Sequence, residues 1–385
     1  MDRFTIAVLF GGMSTEHEVS IVSGIQVLNA LDKSKYNVLP IYITKDGQWI
    51  KGDEGFYKAE TFKNLNKAID GKKSLFISPD TSINYLVEKP NSYTFLKPLV
   101  KEEIDVIFPV FHGRFGEDGS IQGLFEMAQI PYVGCGVTAA AIGMDKMISK
   151  RVARAIDVPT LPGNWVNEKS KSYAMDGLKY PVYIKPVHLG SSIAVTRARN
   201  KKELDEALEV AFFYDDKVLV EQGLENAKEV NISLLGNDPY EISPTEMPVA
   251  TSEILSFKDK YLSSGGKSQG MASLKRIVPA PIKSATEKKI QEYAVKFFSE
   301  IGGEGIVRMD FLLTKDEKHV YLNEINTMPG SLAFYLWKEK GMTFEKLLDK
   351  LIDLAVERKK AKEKLNTTFE SNILENFGGS KGGKS

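Results

Sequence analysis

Residues 306–330 read IVRMDFLLTKDEKHVYLNEINTMPG, and the rest of the chain is organised around them. Residues 306–313 and 320–326 are β-branched and apolar enough to be strands, and a short polar turn, 314–319, separates them, so the pair reads as a hairpin. Side chains alternate faces along a strand, so Arg308 and Asp310 share one face, as do Glu324 and Asn326. With the turn centred on Glu317, Asp310 falls opposite Glu324 and Arg308 opposite Asn326. Two carboxylates directly opposed cost up to ~1 kcal/mol. A positive charge is therefore expected between them, and Asp310→Asn or Glu324→Gln should relieve a like-charge conflict in the metal-free protein. Asp, Glu and the amide oxygen of Asn are hard donors that suit Mg²⁺ rather than a softer transition metal. A solvated hairpin face is the plainer reading, but the ending Thr-Met-Pro-Gly is unusual for one, and the face reads as a metal site.

A chain of 385 residues is too long for one ordinary core, so two or three domains are expected. The 51 basic and 51 acidic residues cancel, which favours neither nucleic acid nor an anionic membrane as a partner. The lone Cys135 rules out an internal disulfide and suits a reducing, cytoplasmic compartment. The four histidines lack any Cys/His spacing for zinc. The apolar run 4–10 reads as a first strand rather than a signal peptide, and no run approaches a membrane span.

Residues 4–10, 37–43 and 104–111 are apolar runs of the kind found in a buried parallel sheet, with helices over 16–31, 121–128 and 137–156 and a further strand at 131–134. The alternation implies an α/β, doubly wound parallel sheet in the N-terminal domain, decorated by a polar, irregular insertion at 44–100. A second unit starts near Val158 and holds strands at 180–185, 193–197 and 218–222 with a helix at 201–213. Beyond Glu229 come more strands, a Gly/Ser-rich loop at 258–270, and a helix for which Ser284 and Glu287 suggest a capping box. An amphipathic helix over 344–355 follows the hairpin, and the tail GGSKGGKS is expected to be disordered.

Several phosphate-loop patterns compete. Residues 378–385 fit G-x-x-x-x-G-K-S, yet no helix follows to supply an N-terminus, and the match is rejected. The glycines at 134 and 136 follow a strand and open a helix, but no acidic residue ends the next strand, which argues for packing over dinucleotide binding. Lys185 leads into the loop 186–192, whose amides and hydroxyls suit a polyphosphate, against the plainer reading of an ordinary Gly-Ser hairpin. Glu221-Gln222-Gly223-Leu224 follows an apolar strand where a purine would sit between lobes. His112 and Arg114 lie on a loop after a strand of the first sheet, in place for a substrate carboxylate, and Glu16 lies on the equivalent loop after the first strand, in place for an ammonium group.

Together these stretches resemble the D-alanine–D-alanine ligases of the ATP-grasp superfamily. The resemblance rests on GGMSTEHEVS (11–20), HGRFGEDGSIQG (112–123), GMDK (143–146), YIKPVHLGSS (183–192), VLVEQGL (218–224), KY (260–261), VRMDF (307–311) and NEINTMPG (323–330), in that order. It implies an N-terminal Rossmann-like substrate domain over 1–145, a central ATP-grasp lobe over 146–228, and a C-terminal lobe with the metal site over 229–360, before a tail at 361–385. Carried over by motif, Glu16 and His112 would bind the first D-alanine, and Ser191 would join Glu16 and Tyr261 in a network closing the site. Lys146, Lys185 and Lys260 would contact ATP phosphates, and Glu221, Gln222, Leu224 and Glu229 the adenosine. Asp310, Glu324 and Asn326 would hold two Mg²⁺ ions, for which Mn²⁺ can substitute, while Arg308 and the Gly330 amide face the reacting carboxyl. The family's usual residues for the second substrate's carboxylate are replaced by SLAFYLW (331–337), where Ser331 and Tyr335 are the substitutes. The implied activity is ATP-dependent synthesis of D-alanyl-D-alanine through an acyl phosphate, for peptidoglycan, by a cytoplasmic homodimer. D-Serine or D-lactate as second substrate, or another ATP-grasp carboxylate–amine ligase, is the alternative.

Overall fold

The computed structural model of the chain describes residues 3–83, 85–89, 101–249, 275–369 and 371. Lys260, Tyr261, the loop 258–270 and the tail 378–385 lie outside the described residues.

The first unit holds β1 (Phe4–Gly11), α1 (His17–Ala30), β2 (Tyr36–Ile43), β3 (Trp49–Lys51), α2 (Leu65–Ile69), β4 (Ser74–Ile77), β5 (Tyr85–Glu88), β6 (Lys101–Glu103), β7 (Val106–Val110), α3 (Ser120–Ala128) and α4 (Val137–Met144). Its sheet runs β6-β5-β4-β3-β2-β1-β7, with β1 parallel to both β2 and β7. The expected parallel sheet is thus present at its centre. The region 44–100, read from sequence as irregular, instead extends the sheet with the antiparallel strands β3, β4 and β5. These strands are three or four residues long with one or two buried side chains each, too little for periodicity to register. The insertion also buries Phe56 edge-on against Phe10 and Tyr42.

The helix expected over 137–156 is two. Asp145 takes an extended conformation, ends α4, and caps α5 (Lys146–Ala155) by accepting from the Met147 and Ile148 amides. The residues 131–134 form one parallel bridge, Tyr132 to Ile107, rather than a strand.

The second unit packs β8 (Gly163–Val166), β9 (Val182–Pro186), β10 (Thr196–Ala198), α6 (Lys201–Tyr214) and β11 (Val218–Gln222) as a sheet in the order β10-β9-β11-β8. The third holds β12 (Lys228–Gly236), β13 (Glu241–Ile242), β14 (Met247–Pro248), β15 (Arg276–Ile277), α7 (Ser284–Glu300), β16 (Gly305–Leu313), β17 (Val320–Asn326), α8 (Phe334–Lys338) and α9 (Phe344–Lys362). Its main sheet runs β13-β12-β16-β17. The capping box expected at Ser284 does not form; Lys283 is the cap residue, and Glu287 accepts instead from Thr245. The N-terminus of α7 is served by the hairpin turn, where Glu317 accepts from the Lys283 amide at 2.9 Å.

One core crosses the units. Trp337, Leu347, Leu348 and Leu351, from α8 and α9, are buried in the same apolar cluster as Ile6, Val8, Phe10 and Val106 of the first sheet.

Candidate active site

The site grows from the hairpin β16–β17. Arg308 pairs with Asn326 and Asp310 with Glu324, the register expected from sequence. It is reached through a bulge: Phe311 pairs with Leu322, so Asn323 is an extra residue on β17. As a result Asn323 and Glu324, neighbours in sequence, both line one cleft.

The positive charge expected beside the opposed carboxylates comes from the protein itself. Arg308 donates from Nε and Nη2 to the two Asp310 oxygens at 2.7 and 2.8 Å, a bidentate fork between two buried side chains. Burial works against the Arg308 cation, but Asp310 overcomes this and holds its pKa well above the ordinary value. Lys146 Nζ lies 3.3 Å from Glu324 Oε1. Asn326 donates to Asp310 Oδ2 at 3.2 Å.

Around this face is a cavity of about 30 Å³ with almost wholly polar walls, lined by Glu16, His112, Glu117, Gly190, Ser191, Arg308, Glu324, Asn326, Met328 and Gly330. Glu16 stands just before α1 and accepts a hydrogen bond from the Ser191 hydroxyl. Two glycines make room for it: a Cβ on Gly190 or Gly113 would come within 2.7 or 2.8 Å of its carboxylate oxygen. His112 sits between Ser23 Oγ and the Met328 carbonyl, each 3.0 Å from one ring nitrogen. Burial, with the Arg308 charge, lowers its pKa to about 4. It is therefore neutral at pH 7, with Nδ1–H donating to Met328 and Nε2 accepting from Ser23. Glu117 is a wall residue that the sequence reading missed, although it lies inside the HGRFGEDG motif. It accepts from the Gly113 and Met328 amides at 2.8 Å, while burial and the nearby Glu16 push its pKa up to about 8.

Glu324 also lines a second, larger cleft of about 700 Å³ between the central and C-terminal sheets, together with Lys146, Lys185, Glu221, Leu224, Glu229 and Asp310. Glu221 is buried between Lys150 Nζ at 2.5 Å and Lys185 Nζ at 2.6 Å. Burial raises its pKa, but the two ammonium groups outweigh that and keep it ionised. Lys185 also donates to Asn323 Oδ1 at 3.1 Å, which ties the central sheet to the bulge. Lys150 was missed from sequence; it stands four residues after Lys146, one helical turn along the same face of α5.

Other expected residues lie elsewhere. Gln222 exchanges hydrogen bonds with the Lys179 backbone and lines neither cavity. Ser331, Leu332 and Ala333 form a left-handed turn with φ of 51°, 53° and 47°, a conformation costing roughly 1 kcal/mol per non-glycine residue. Ser331 is buried, with its amide 3.4 Å from Ser23 Oγ. Tyr335 donates to Glu246 at 3.2 Å beneath the Arg276 guanidinium, which lies 3.5 Å from the ring centroid.

Asp310, Glu324 and Asn326 bring three hard oxygen donors to one face, a set that fits Mg²⁺. Among the described residues, one cluster of three His, Cys, Asp or Glu ligand atoms lies within 4.8 Å of one another: His188, Asp215 and Asp216. Its histidine lies between Asp215 and Asp145, and their carboxylates raise its pKa to about 9, so that a metal there would have to displace a proton.

Residues 5–135 match the family model described as D-ala D-ala ligase N-terminus, and residues 158–353 the one described as D-ala D-ala ligase C-terminus. The chain is 37% identical over 385 residues to a D-alanine–D-alanine ligase from Caldicellulosiruptor bescii, covering 96% of this chain and 100% of that protein. A D-alanine–D-alanine ligase from Heliobacterium modesticaldum is 39% identical over 378 residues, covering 94% and 98%. Among solved structures, the VanG D-Ala:D-Ser ligase from Enterococcus faecalis superposes with a TM-score of 0.76 at 30% identity, covering 92% of this chain and 100% of that one. The D-alanine-D-alanine ligase from Coxiella burnetii gives a TM-score of 0.75 at 28% identity, covering 94% and 97%.

Proposed function

Because the chain belongs to the D-alanine–D-alanine ligase family, with its ATP-grasp fold, we propose that the two adjoining cavities divide that family's reaction between them. The protein is an ATP-dependent ligase that joins two D-alanines into the dipeptide used for peptidoglycan. The observation that supports the division is that Glu324 belongs to both cavities. A phosphoryl group delivered along the cleft therefore arrives beside the residues suited to an amino acid.

In this reading Lys146 and Lys185 face the phosphates, with Lys185 and Lys150 both paired to Glu221, and Glu221, Leu224 and Glu229 flank the nucleoside. Glu16 takes the ammonium of the first D-alanine, and its bond to Ser191 closes the loop over it. His112 meets the carboxylate by taking up a proton at Nε2 with the substrate, Nε2–H then donating to the carboxylate in place of the bond from Ser23, and Arg308 supplies further cationic charge there. Asp310, Glu324 and Asn326 would hold two Mg²⁺ ions, which when bound offset charge on the transferring phosphoryl group. The neutral amine of the second D-alanine attacks the acyl phosphate formed when the γ-phosphoryl passes from ATP to the first carboxylate. The C–O bond to inorganic phosphate breaks and the nitrogen gives up a proton, while Arg308 and the Gly330 amide stabilise the developing oxyanion, a contribution of about 3–4 kcal/mol per donor. Lys260 and Tyr261 belong to the phosphate contacts and the Ser191–Glu16 network by motif. Gln222 at the adenosine, and Ser331 and Tyr335 at the second carboxylate, remain motif-based assignments. The units 1–145, 146–228 and 229–360 complete this reading, each built around its own main sheet. So does a cytoplasmic homodimer, by family likeness and by the use of ATP. Among the described residues no helix is long and apolar enough to cross a membrane.

The test is ADP release with D-alanine alone, then with D-serine or D-lactate added, followed by product identification. D-Alanyl-D-alanine is the expected product. D-Alanyl-D-serine or D-alanyl-D-lactate as the main product near neutral pH would overturn the second-substrate assignment.

A further inference from the structure

The loop between β9 and β10 carries Ser191, and three residues earlier it carries His188. That ring bridges two elements. Its Nδ1 is 3.0 Å from Asp215 Oδ1, just after α6, and its Nε2 is 3.4 Å from Asp145 Oδ2, the residue capping α5. The His188 amide donates to Asp215 Oδ2 at 2.7 Å, so that side is secured by backbone as well. From this loop, Asp145 itself is reached by the ring only. Two further bonds join the same surfaces: the Lys146 amide lies 3.4 Å from the Val187 carbonyl, and Lys146 Nζ donates to the Leu189 carbonyl.

A ring between two carboxylates donates to both only when both nitrogens carry protons. Hydrogen bonds donated to Asp145 and Asp215 raise the His188 pKa to about 9, with Asp216 exposed beside them. We propose that His188, as an imidazolium, is a positioning residue that fastens the serine loop to the helix bearing Lys146, so that the phosphate lysine and the loop over the amino acid hold one relative placement. The inference rests on the assignment of the cleft to ATP.

The linkage has a definite sign. The folded pKa lies above the ordinary 6.5, so the ring's contribution to the fastening is complete below pH 6.5 and is lost as pH rises through about 9. The experiment measures MgADP affinity of the full-length enzyme from about pH 6 to about pH 10 by calorimetry, without D-alanine, whose amine titrates in the same range. Wild-type affinity should fall about tenfold across the upper limb, the size expected for one charge-assisted hydrogen bond. His188→Asn should bind about tenfold more weakly at pH 7 and lack that limb. Asp145→Asn keeps an amide oxygen to cap α5, and should move the limb to lower pH rather than abolish it. Equal affinity and an unchanged limb in both variants would overturn the inference alone. Wild-type protein that binds no MgADP would overturn the reading of the cleft as well.

Discussion

The two cavities share Glu324 and differ in almost everything else. The cleft of about 700 Å³ mixes apolar side chains such as Leu161, Leu224 and Leu312 with lysines, and its contacts are spread along the central and C-terminal sheets. The cavity of about 30 Å³ is faced by Glu16, Glu117, Glu324 and Arg308, and each has its own polar partner: Ser191 for Glu16, the Gly113 and Met328 amides for Glu117, Lys146 for Glu324 and Asp310 for Arg308. A spread of contacts loses little when one is cut. A closed set of polar partners leaves another buried group unpaired, which costs more than the bond itself.

The largest effect should follow from Asp310→Asn. The sequence alone suggested that removing one of two opposed carboxylates would help the metal-free protein. The fork to Arg308 reverses that sign, because the substitution strands a buried guanidinium at a cost of about 3 kcal/mol. We expect the melting temperature to drop by several degrees for a protein of this size, and dipeptide formation to fall by about 10²-fold or more. An unchanged melting temperature would show that Arg308, on the wall of the small cavity, does not depend on its fork to Asp310, which lines the cleft.

A second test uses acid. His112 has a folded pKa of about 4 against an ordinary 6.5, so its contribution is present above pH 6.5 and is lost as pH falls towards 4. Urea unfolding of wild type should weaken over that range by about 2–3 kcal/mol more than that of His112→Asn. Parallel curves would refute a buried neutral ring.

The smallest effect should come from the cleft. Leu224→Ala should raise the KM for ATP by roughly three- to tenfold, the worth of one partly buried leucine, and leave kcat near the wild-type value. A loss of kcat comparable to that of Asp310→Asn would erase the distinction between the cavities.

How far the sequence carried the site depended on the kind of signal. Strand alternation placed Arg308, Asp310, Glu324 and Asn326 on one face, and the motif loops pointed to Glu16, His112 and Ser191. The Asn323 bulge was invisible, because an extra strand residue changes pairing without changing composition. So was the left-handed turn at 331–333, since serine, leucine and alanine carry no signal for positive φ. Gln222 looked like a nucleotide contact because its neighbours do line the cleft, yet its amide is committed to the Lys179 backbone. Lys150 could have been found from its spacing to Lys146. The antiparallel strands of the insertion could not, because each contributes too few buried residues to make a pattern.

The shared core of the first sheet and the last helices bears on how the protein is made. Ile6, Val8 and Phe10 leave the ribosome well before Trp337, Leu347 and Leu351, which share their core and lie far along the chain. For most of translation the sheet must therefore wait with part of its apolar face uncovered, in the state most open to aggregation and chaperone capture. The long sequence separation of these contacts also makes closure slow relative to local folding. The first sheet is thus sealed only once the helices bearing Trp337 and Leu347 have been delivered.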